Sequence, residues 1–139
     1  MSTRAIRYLL QNNLPFEVVE YEHVRKGAEA AAQAVGFPLA RIAKTLVLAA
    51  LPGRCAVALL PGDRQADMRR LAGVLAVKRV QMADAAAAER LSGYRVGGIS
   101  PFALRQHLPV VMEESLLTHE SILVNGGRRD PRSFHQADG

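Results

Sequence analysis

Three observations predict that the chain forms a single α+β domain. Its 139 residues are enough for one domain with its own core and too few for the usual two. Hydrophobic residues make up 49% of the chain and charged residues 22%, which is typical of a globular protein. Segments that read as strands and helices follow one another irregularly, without the alternation of a doubly wound fold. We expect the domain to span residues 1–130, followed by a polar tail over residues 131–139.

The first half of the chain mixes short helices and strands. Ser2 or Thr3 can cap a first helix that runs to about Asn12, because Ile6 and Leu9 fall on one face at helical spacing. Five further elements are predicted in this order: a strand over 16–21, an alanine-rich helix over 27–35, a helical turn over 39–42, a buried strand over 44–50 and a second apolar strand over 55–60.

The second half continues the irregular order. Pro61 and Gly62 turn the chain, and we expect Asp63 to cap a helix that ends at Leu71. Five elements are then predicted: a strand over 77–82, a helix over 83–91 with Asp84 near its start and Gly93 beyond its end, a helical turn over 102–107, and strands over 109–112 and 121–125.

The stretch Tyr94–Pro101 has the composition of a stiff, shaped loop. Gly97 and Gly98 have no Cβ, so a ligand can approach their backbone closely. Pro101 fixes its own φ and biases Ser100 toward an extended conformation. Free N–H groups in such a loop can bind a carbonyl or phosphate oxygen, although an ordinary turn has the same composition. No local signature places a base beside Ser100, so we do not expect it to act as a nucleophile.

Lys44 is the second candidate functional residue. It lies near the start of a predicted buried strand, between the apolar residues Ile42 and Leu46. A lysine held in this way can fix a phosphate or ribose group, or stabilise negative charge that develops during a reaction. The alternative is a solvated lysine at the mouth of a strand, because lysine side chains are mostly exposed.

These segments together resemble the YbaK family of free-standing aminoacyl-tRNA editing proteins, which is related to the editing domain inserted in bacterial prolyl-tRNA synthetases. The resemblance rests on the Lys44-Thr-Leu strand, the Gly97–Pro101 loop, the segment over 63–72 and the segment over 119–128, in that order. It extends from about Leu10 to Arg129. It implies a curved, mixed and partly barrel-like sheet with helices packed around it.

The resemblance also implies a reaction and the residues that carry it. Family members hydrolyse the ester of a mischarged tRNA, here most directly Cys-tRNA(Pro), with help from the substrate's own thiol or ribose hydroxyl. Lys44 is the residue that the family requires for activity, and Tyr21 is expected to line the pocket for the acceptor end. No metal or organic cofactor is implied. The loop residues expected around the aminoacyl group and the terminal adenosine are Gly97, Gly98, Ile99, Ser100 and Pro101.

Two alternatives remain open from the sequence. One is a sister specificity for Ala-tRNA(Pro) or for another small amino acid. The other is a non-catalytic module of the same fold that binds a tRNA acceptor end or a nucleotide. The second gains support from a departure at Asp130-Pro131, where the family usually continues with a glycine and a strand. We therefore expect the sheet to lack a strand in this region.

Charge and composition limit the partners. Lysine and arginine exceed aspartate and glutamate by 18 to 13, a net charge of +5 that favours a polyanionic partner such as tRNA. Prolyl-tRNA synthetase is a candidate second partner, whereas no DNA-binding motif is present. The single cysteine excludes an intrachain disulfide, and the four histidines lack metal-ligand spacing. Without an apolar run long enough to span a membrane, we expect a cytoplasmic protein.

Overall fold

The computed structural model of the chain describes residues 3–21, 32, 36–127 and 132–137. Within these residues, seven strands form one sheet, accompanied by three eight-residue helices and two short 3-10 helices. The helices are α1 (Arg4–Gln11), α2 (Met68–Leu75) and α3 (Ala85–Ser92), and the 3-10 helices span Leu39–Arg41 and Glu114–Thr118. The strands are β1 (Phe16–Tyr21), β2 (Ile42–Leu51), β3 (Arg54–Pro61), β4 (Arg79–Met82), β5 (Val110–Met112), β6 (Ile122–Asn125) and β7 (Arg132–Ala137).

The sheet is mixed and open. Its strand order is β1-β7-β6-β2-β3-β5, and β4 pairs separately with β2. The β2–β6 and β3–β5 pairs are parallel, whereas the other pairs are antiparallel. Long β2 is the centre of this arrangement, because its first residues pair with β6 and its last four with β4, while β3 follows its whole length. The prediction of an α+β fold with a mixed sheet is confirmed.

The core lies on both faces of the central strands. One face of β2 and β3, which includes Leu48 and Ala58, packs against Leu71 and Ala72 of α2. The opposite face divides into two clusters. The first joins Val47 and Val57 to Ala88 and Leu91 of α3, and the second joins Ala43 and Leu59 to Leu116, Ile122 and Val124.

Helices α1 and α3 begin and end close to the predicted positions. The Thr3 hydroxyl caps α1 by accepting a hydrogen bond from the N–H of Ile6 at 3.1 Å. Asp84 caps α3 in the same way through the N–H of Ala87 at 2.8 Å, and Gly93 ends the helix with φ of +82°. These ends were predictable because each cap is a local interaction within one turn.

Helix α2 begins later than predicted, since Asp67 rather than Asp63 is its N-cap. The chain before it is held in another conformation by contacts with distant residues. The N–H of Gly62 donates to the carbonyl of Leu39 at 3.0 Å, and the carbonyl of Arg64 accepts from the Lys44 ammonium. The helix therefore starts only after these contacts end.

The helical turn predicted over 102–107 is absent. In this segment the N–H of Arg105 donates to the carbonyl of Ser92, and the N–H of Gln106 donates to the carbonyl of Leu91, at 3.0 and 3.1 Å. These donors satisfy carbonyl groups at the end of α3 instead of closing a helix of their own. The helix predicted over 27–35 lies almost wholly outside the described residues.

The expectation that the sheet lacks a strand after Asp130 is wrong. Strand β7 lies between β1 and β6 and pairs antiparallel with both. Because β7 is held by backbone hydrogen bonds on both sides, it does not need apolar side chains to form. Its polar sequence therefore lacked the apolar pattern by which a strand is predicted. The extent of the domain, residues 1–130, stays a prediction.

Candidate functional site

Lys44 lies in β2, opposite Leu60 of β3, and its side chain is half-buried. Alternation along the strand places it on the same face as Ile42 and Leu46. Its ammonium group donates to the backbone carbonyl of Arg64, just after the end of β3. The lysine is therefore neither fully solvated nor paired with a carboxylate in the described part of the chain, and its charge is available near the strand ends.

The predicted loop is fixed at several points. The N–H of Val96 donates to the Glu89 carboxylate of α3 at 2.8 Å, and the N–H of Gly98 donates to the carbonyl of Arg95 at 2.8 Å. Gly97 has φ of +94°, a conformation that strongly favours glycine. The segment is thus a structured turn with one position that requires glycine.

Only part of the loop backbone is free to bind a ligand. The N–H of Gly98 is used within the loop, so it is not one of the free N–H groups that the sequence predicts there. The N–H groups of Gly97, Ile99 and Ser100 make no hydrogen bond to another described residue. Because Ser100 is fully buried, Gly97 and Ile99 carry the two donors that the loop can offer to a carbonyl, carboxylate or phosphate oxygen.

The Ser100 side chain is fully buried. Its hydroxyl accepts a hydrogen bond from the N–H of Phe102 at 3.3 Å, inside the loop. A hydroxyl with no exposure cannot reach a substrate in this conformation. This burial agrees with the expectation that Ser100 is no nucleophile, and it limits the side chain to a structural part in the loop.

The two candidate parts of the site are connected through Asn125. Ile42 of β2 pairs with Leu123 of β6 in parallel, so two residues further along, Lys44 and Asn125 lie on the same face in adjacent strands. The Asn125 side-chain amide donates to the carbonyl of Gly97 at 3.4 Å. The glycine end of the loop is therefore brought to the strand end that carries Lys44.

The other end of the loop faces elsewhere. Pro101 and Phe102 line an apolar pocket of about 250 Å³, together with Leu59 and Val124. Leu59 and Val124 pair with Thr45 and Ala43, and these pairs lie on the sheet face opposite to Lys44. The structure thus brings Gly97 toward the lysine and directs Pro101 to the other side of the sheet.

Tyr21 is the last residue of β1, and its backbone pairs with Arg132 of β7. Its side chain is outside what the structure describes, so its predicted part in the acceptor-end pocket stays a prediction. In the described residues, no helix is long and apolar enough to cross a membrane. The same residues contain no group of three or more His, Cys, Asp or Glu side chains placed to hold a metal ion.

Three residues that hold the site were missed from the sequence: Glu89, Tyr94 and Asn125. Glu89 belongs to a helix with an ordinary exposed pattern, and Asn125 ends a strand, so neither carries a local signal. Tyr94 was included in the loop without a role. An aromatic residue three positions before the Gly97-Gly98 pair was the one available signal that a side chain closes the base of the loop.

The comparisons with known proteins identify the family of the chain. A family model described as "Aminoacyl-tRNA editing domain" matches residues 22–135. The chain is 30% identical over 131 residues to "Putative Cys-tRNA(Pro)/Cys-tRNA(Cys) deacylase EbsC" of Enterococcus faecalis (strain ATCC 700802 / V583), covering 91% of this chain and 79% of that protein. It is 32% identical over 131 residues to "Multifunctional Ser/Thr-tRNA deacylase ProXp-y" of Escherichia coli (strain K12), covering 91% and 78%.

A solved structure shows the same fold over nearly the whole chain. It is described as a "putative trans-editing enzyme for prolyl tRNA synthetase" and superposes with a TM-score of 0.84 at 27% identity, covering 99% of this chain and 88% of the other. Fold, family model and two relatives named as tRNA deacylases therefore agree, and the chain belongs to the aminoacyl-tRNA editing domain family, as its sequence resemblance predicted.

Proposed function

We propose that this chain is a trans-acting editing hydrolase whose substrate is a mischarged tRNA, with Cys-tRNA(Pro) as the first expected substrate. Water is added across the ester between the amino acid and the terminal ribose, which releases the free amino acid and the uncharged tRNA. The observation that carries the proposal is the contact of Asn125 with Gly97, because it joins the loop to the strand end that carries Lys44. Family membership supports the same reaction.

Lys44 is the residue that we expect to act on the substrate by charge. In the free protein its ammonium is held by the carbonyl of Arg64, an interaction with a neutral acceptor that a substrate phosphate or oxyanion can replace. The N–H groups of Gly97 and Ile99 supply the complementary donors for the ester carbonyl. Cation and donors together stabilise the negative charge that develops on the carbonyl oxygen.

The proton transfers are assigned to the substrate itself. Ser100 is buried, and its hydroxyl is engaged with the N–H of Phe102, so the loop supplies no side-chain nucleophile. A cysteine thiol or the free ribose hydroxyl of the substrate lies next to the ester by its own covalent structure. The protein then needs only to position the ester relative to these substrate groups and to supply positive charge. Holding reacting groups in the correct geometry can by itself accelerate a reaction strongly.

Specificity for cysteine is supported by the relative at 30% identity that is named for Cys-tRNA(Pro) and Cys-tRNA(Cys). A second specificity is favoured by the relative at 32% identity that is named for Ser/Thr-tRNA. Serine has the size of cysteine and differs in one atom, so a pocket that accepts one rejects the other only weakly by shape. Ala-tRNA(Pro) is the third candidate substrate, because alanine is also a small amino acid.

The partner proposed for this site is the acceptor end of tRNA, with prolyl-tRNA synthetase as a second candidate. Arg69 and Arg70 are exposed on α2, which packs on the same sheet face as Lys44. Contacts between these side chains and phosphates would make binding depend on salt. A non-catalytic acceptor-binding module would show the same salt dependence without turnover.

The decisive experiment is single-turnover deacylation of Cys-tRNA(Pro), Ala-tRNA(Pro) and Ser-tRNA by the wild type and by Lys44→Ala. Fast loss of the cysteinyl ester, abolished in the variant, is the expected result. Preference for the seryl or alanyl ester would keep the reaction and change the specificity. Binding of all three without hydrolysis would overturn the enzyme proposal and leave the non-catalytic module.

A further inference from the structure

The two ends of the Gly97–Pro101 loop are joined by Tyr94. The phenol lies just before the loop, and its hydroxyl donates to the carbonyl of Phe102, just after it. The N–H of Tyr94 donates to the Ser92 hydroxyl at 3.1 Å, which fixes the backbone where α3 ends. Only 6% of Tyr94 is exposed. A hydrogen bond from a buried tyrosine therefore closes the loop at its base.

Arg4 of α1 holds the same two ends from outside. Its guanidinium carbon lies 5.4 Å from the centroid of the Tyr94 ring, and its Nη2 donates to the carbonyl of Ala103 at 2.5 Å. It also lies directly against Gly93, where an added Cβ would be 2.1 Å from Nη1. One cation from the start of the chain thus contacts residues on both sides of the loop.

The start of α1 is itself tied to the end of β6. The Thr3 hydroxyl donates to the carbonyl of Gly126 at 2.7 Å. The next residue, Gly127, packs so closely on the Tyr94 ring that an added Cβ would be 2.6 Å from Cε1. Tyr94 is therefore enclosed by Arg4, Gly127 and the loop that it closes.

We propose that Arg4 and Tyr94 are positioning residues for the Gly97–Pro101 loop. They hold its ends at a fixed separation, so that the Gly97 carbonyl stays within reach of Asn125 and the free N–H groups stay in one arrangement. Loss of the Tyr94 hydroxyl would leave the Phe102 carbonyl without this donor, and the loop would open more often. That the loop binds a substrate rests on the proposed function, whereas the bracing of the loop does not.

The test compares Tyr94→Phe with Tyr8→Phe. Both variants lose one hydroxyl from a tyrosine close to Phe102, since Tyr8 stacks on that ring with centroids 6.0 Å apart. The Tyr8 ring is 39% exposed, which makes it the matched control. Hydrogen exchange is measured for the peptide that covers residues 95–101. Single-turnover deacylation is measured on the same variants and gives two values: the maximal rate, and the protein concentration at which half of that rate is reached.

We expect exchange of the loop amides to become about tenfold faster in Tyr94→Phe and to stay unchanged in Tyr8→Phe. The maximal deacylation rate should fall by a similar factor, while the half-maximal concentration stays the same, because the loop is misplaced and the tRNA-binding surface is intact. If Tyr94→Phe does not fold, Arg4→Lys provides the second variant, since it keeps the charge and loses the planar fork over the ring.

Unchanged loop exchange in the variant would overturn the proposal. Faster exchange with an unaltered maximal rate would also overturn it, because the loop position would then not matter for the reaction. Faster exchange in a protein whose wild type hydrolyses no ester would support the brace and would count against the proposed function alone.

Discussion

The side-chain amide of Asn125 lies 3.4 Å from the carbonyl oxygen of Gly97, 28 residues away in the sequence. The other end of the same amide accepts a hydrogen bond from the N–H of Gly127 at 2.8 Å. The Asn125 side chain thus connects the loop to the turn that follows β6. Lys44 lies beside Asn125 in the neighbouring strand, so the loop is also placed relative to Lys44.

Replacement of Asn125 tests this connection. Asn125→Ala removes both hydrogen bonds, and we expect deacylation to fall about fivefold to tenfold, as for a net loss of about 1 kcal/mol in the position of the loop. Asn125→Asp is the informative companion, because it keeps the acceptor for the Gly127 N–H and loses the donor to Gly97. The single-turnover rate is measured for both variants. A loss in Asn125→Ala supports the connection, and a larger loss is expected in Asn125→Asp, because its carboxylate would also lie beside Lys44. An unchanged rate in Asn125→Ala would contradict the connection.

Replacement of Lys44 should separate catalysis from folding. Lys44→Met keeps the aliphatic part of the side chain between Ile42 and Leu46 and removes the charge. We expect the deacylation rate to fall by about a hundredfold or more, as for the loss of one stabilising group at a developing charge. The melting temperature should change little, because the hydrogen bond of the ammonium to the Arg64 carbonyl is exposed and water can replace it.

The control for Lys44→Met is Arg54→Met. Arg54 is exposed at the far end of the same hairpin, where it pairs with Ala50. Its replacement removes a positive charge from the protein without touching the strand ends around Lys44. A similar loss of activity in both variants would mean that net charge, rather than the position of Lys44, supports the reaction.

Gly127→Ala should destabilise the protein through two effects. The residue has φ of +89°, which costs an alanine about 1–2 kcal/mol, and its Cβ would meet the Tyr94 ring. Gly53→Ala isolates the first effect, because Gly53 has φ of +75° and nothing within 4 Å of an added Cβ. Urea unfolding should show a larger loss for Gly127→Ala, and equal losses would indicate that the Tyr94 ring moves aside without cost.

The start of α2 gives a direct test of which aspartate is the cap. Asp67→Ala should lower the free energy of unfolding by about 1 kcal/mol, because its carboxylate accepts from the N–H of Arg70 at 3.1 Å. Asp63→Ala should have little effect, since Asp63 is exposed and outside the helix. A larger destabilisation by Asp63→Ala than by Asp67→Ala in chemical denaturation would mean that α2 begins at Asp63, as the sequence predicts.

These two aspartates illustrate what can be predicted from this sequence. The caps Thr3 and Asp84 were predictable, because each helix starts where a local interaction places it. Asp63 and Asp67 are equivalent locally, and the choice between them is made by the contact of Gly62 with Leu39, which lies 23 residues earlier in the chain. Contacts of this kind have no signature in a single sequence.

The site divides in the same way. The position of Lys44 in a strand and of the glycines in a turn was predictable, because residue type and spacing carry information about such local structure. Asn125 was missed, since its importance comes from the parallel pairing of β2 with β6 and from the approach of Gly97. The strand β7 was missed because its hydrogen bonds are made by the backbone and leave its side chains free to be polar.

Tyr94 should make the stability of the protein depend on alkaline pH. Burial raises the pKa of its hydroxyl above the ordinary value of 10.0, although the positive charge of Arg4 acts in the opposite direction. Above pH 10 the unfolded chain loses this proton while the folded protein keeps it, so the unfolded state binds fewer protons and stability falls as pH rises. The contribution is complete below the unfolded pKa and is lost as pH rises through the folded pKa.

The measurement is urea unfolding of the wild type, Tyr94→Phe and Tyr8→Phe between about pH 8 and pH 11. The wild type and Tyr8→Phe should lose stability steeply at the upper end, and Tyr94→Phe should lose it less steeply. The sign follows from the burial of a neutral phenol that donates to the Phe102 carbonyl, because the phenolate would have no proton to donate and would lie in an apolar site. Parallel curves for all three proteins would show that the Tyr94 hydroxyl reaches solvent easily, and the loop would then lack the closed base that the hydrogen bond to Phe102 gives it.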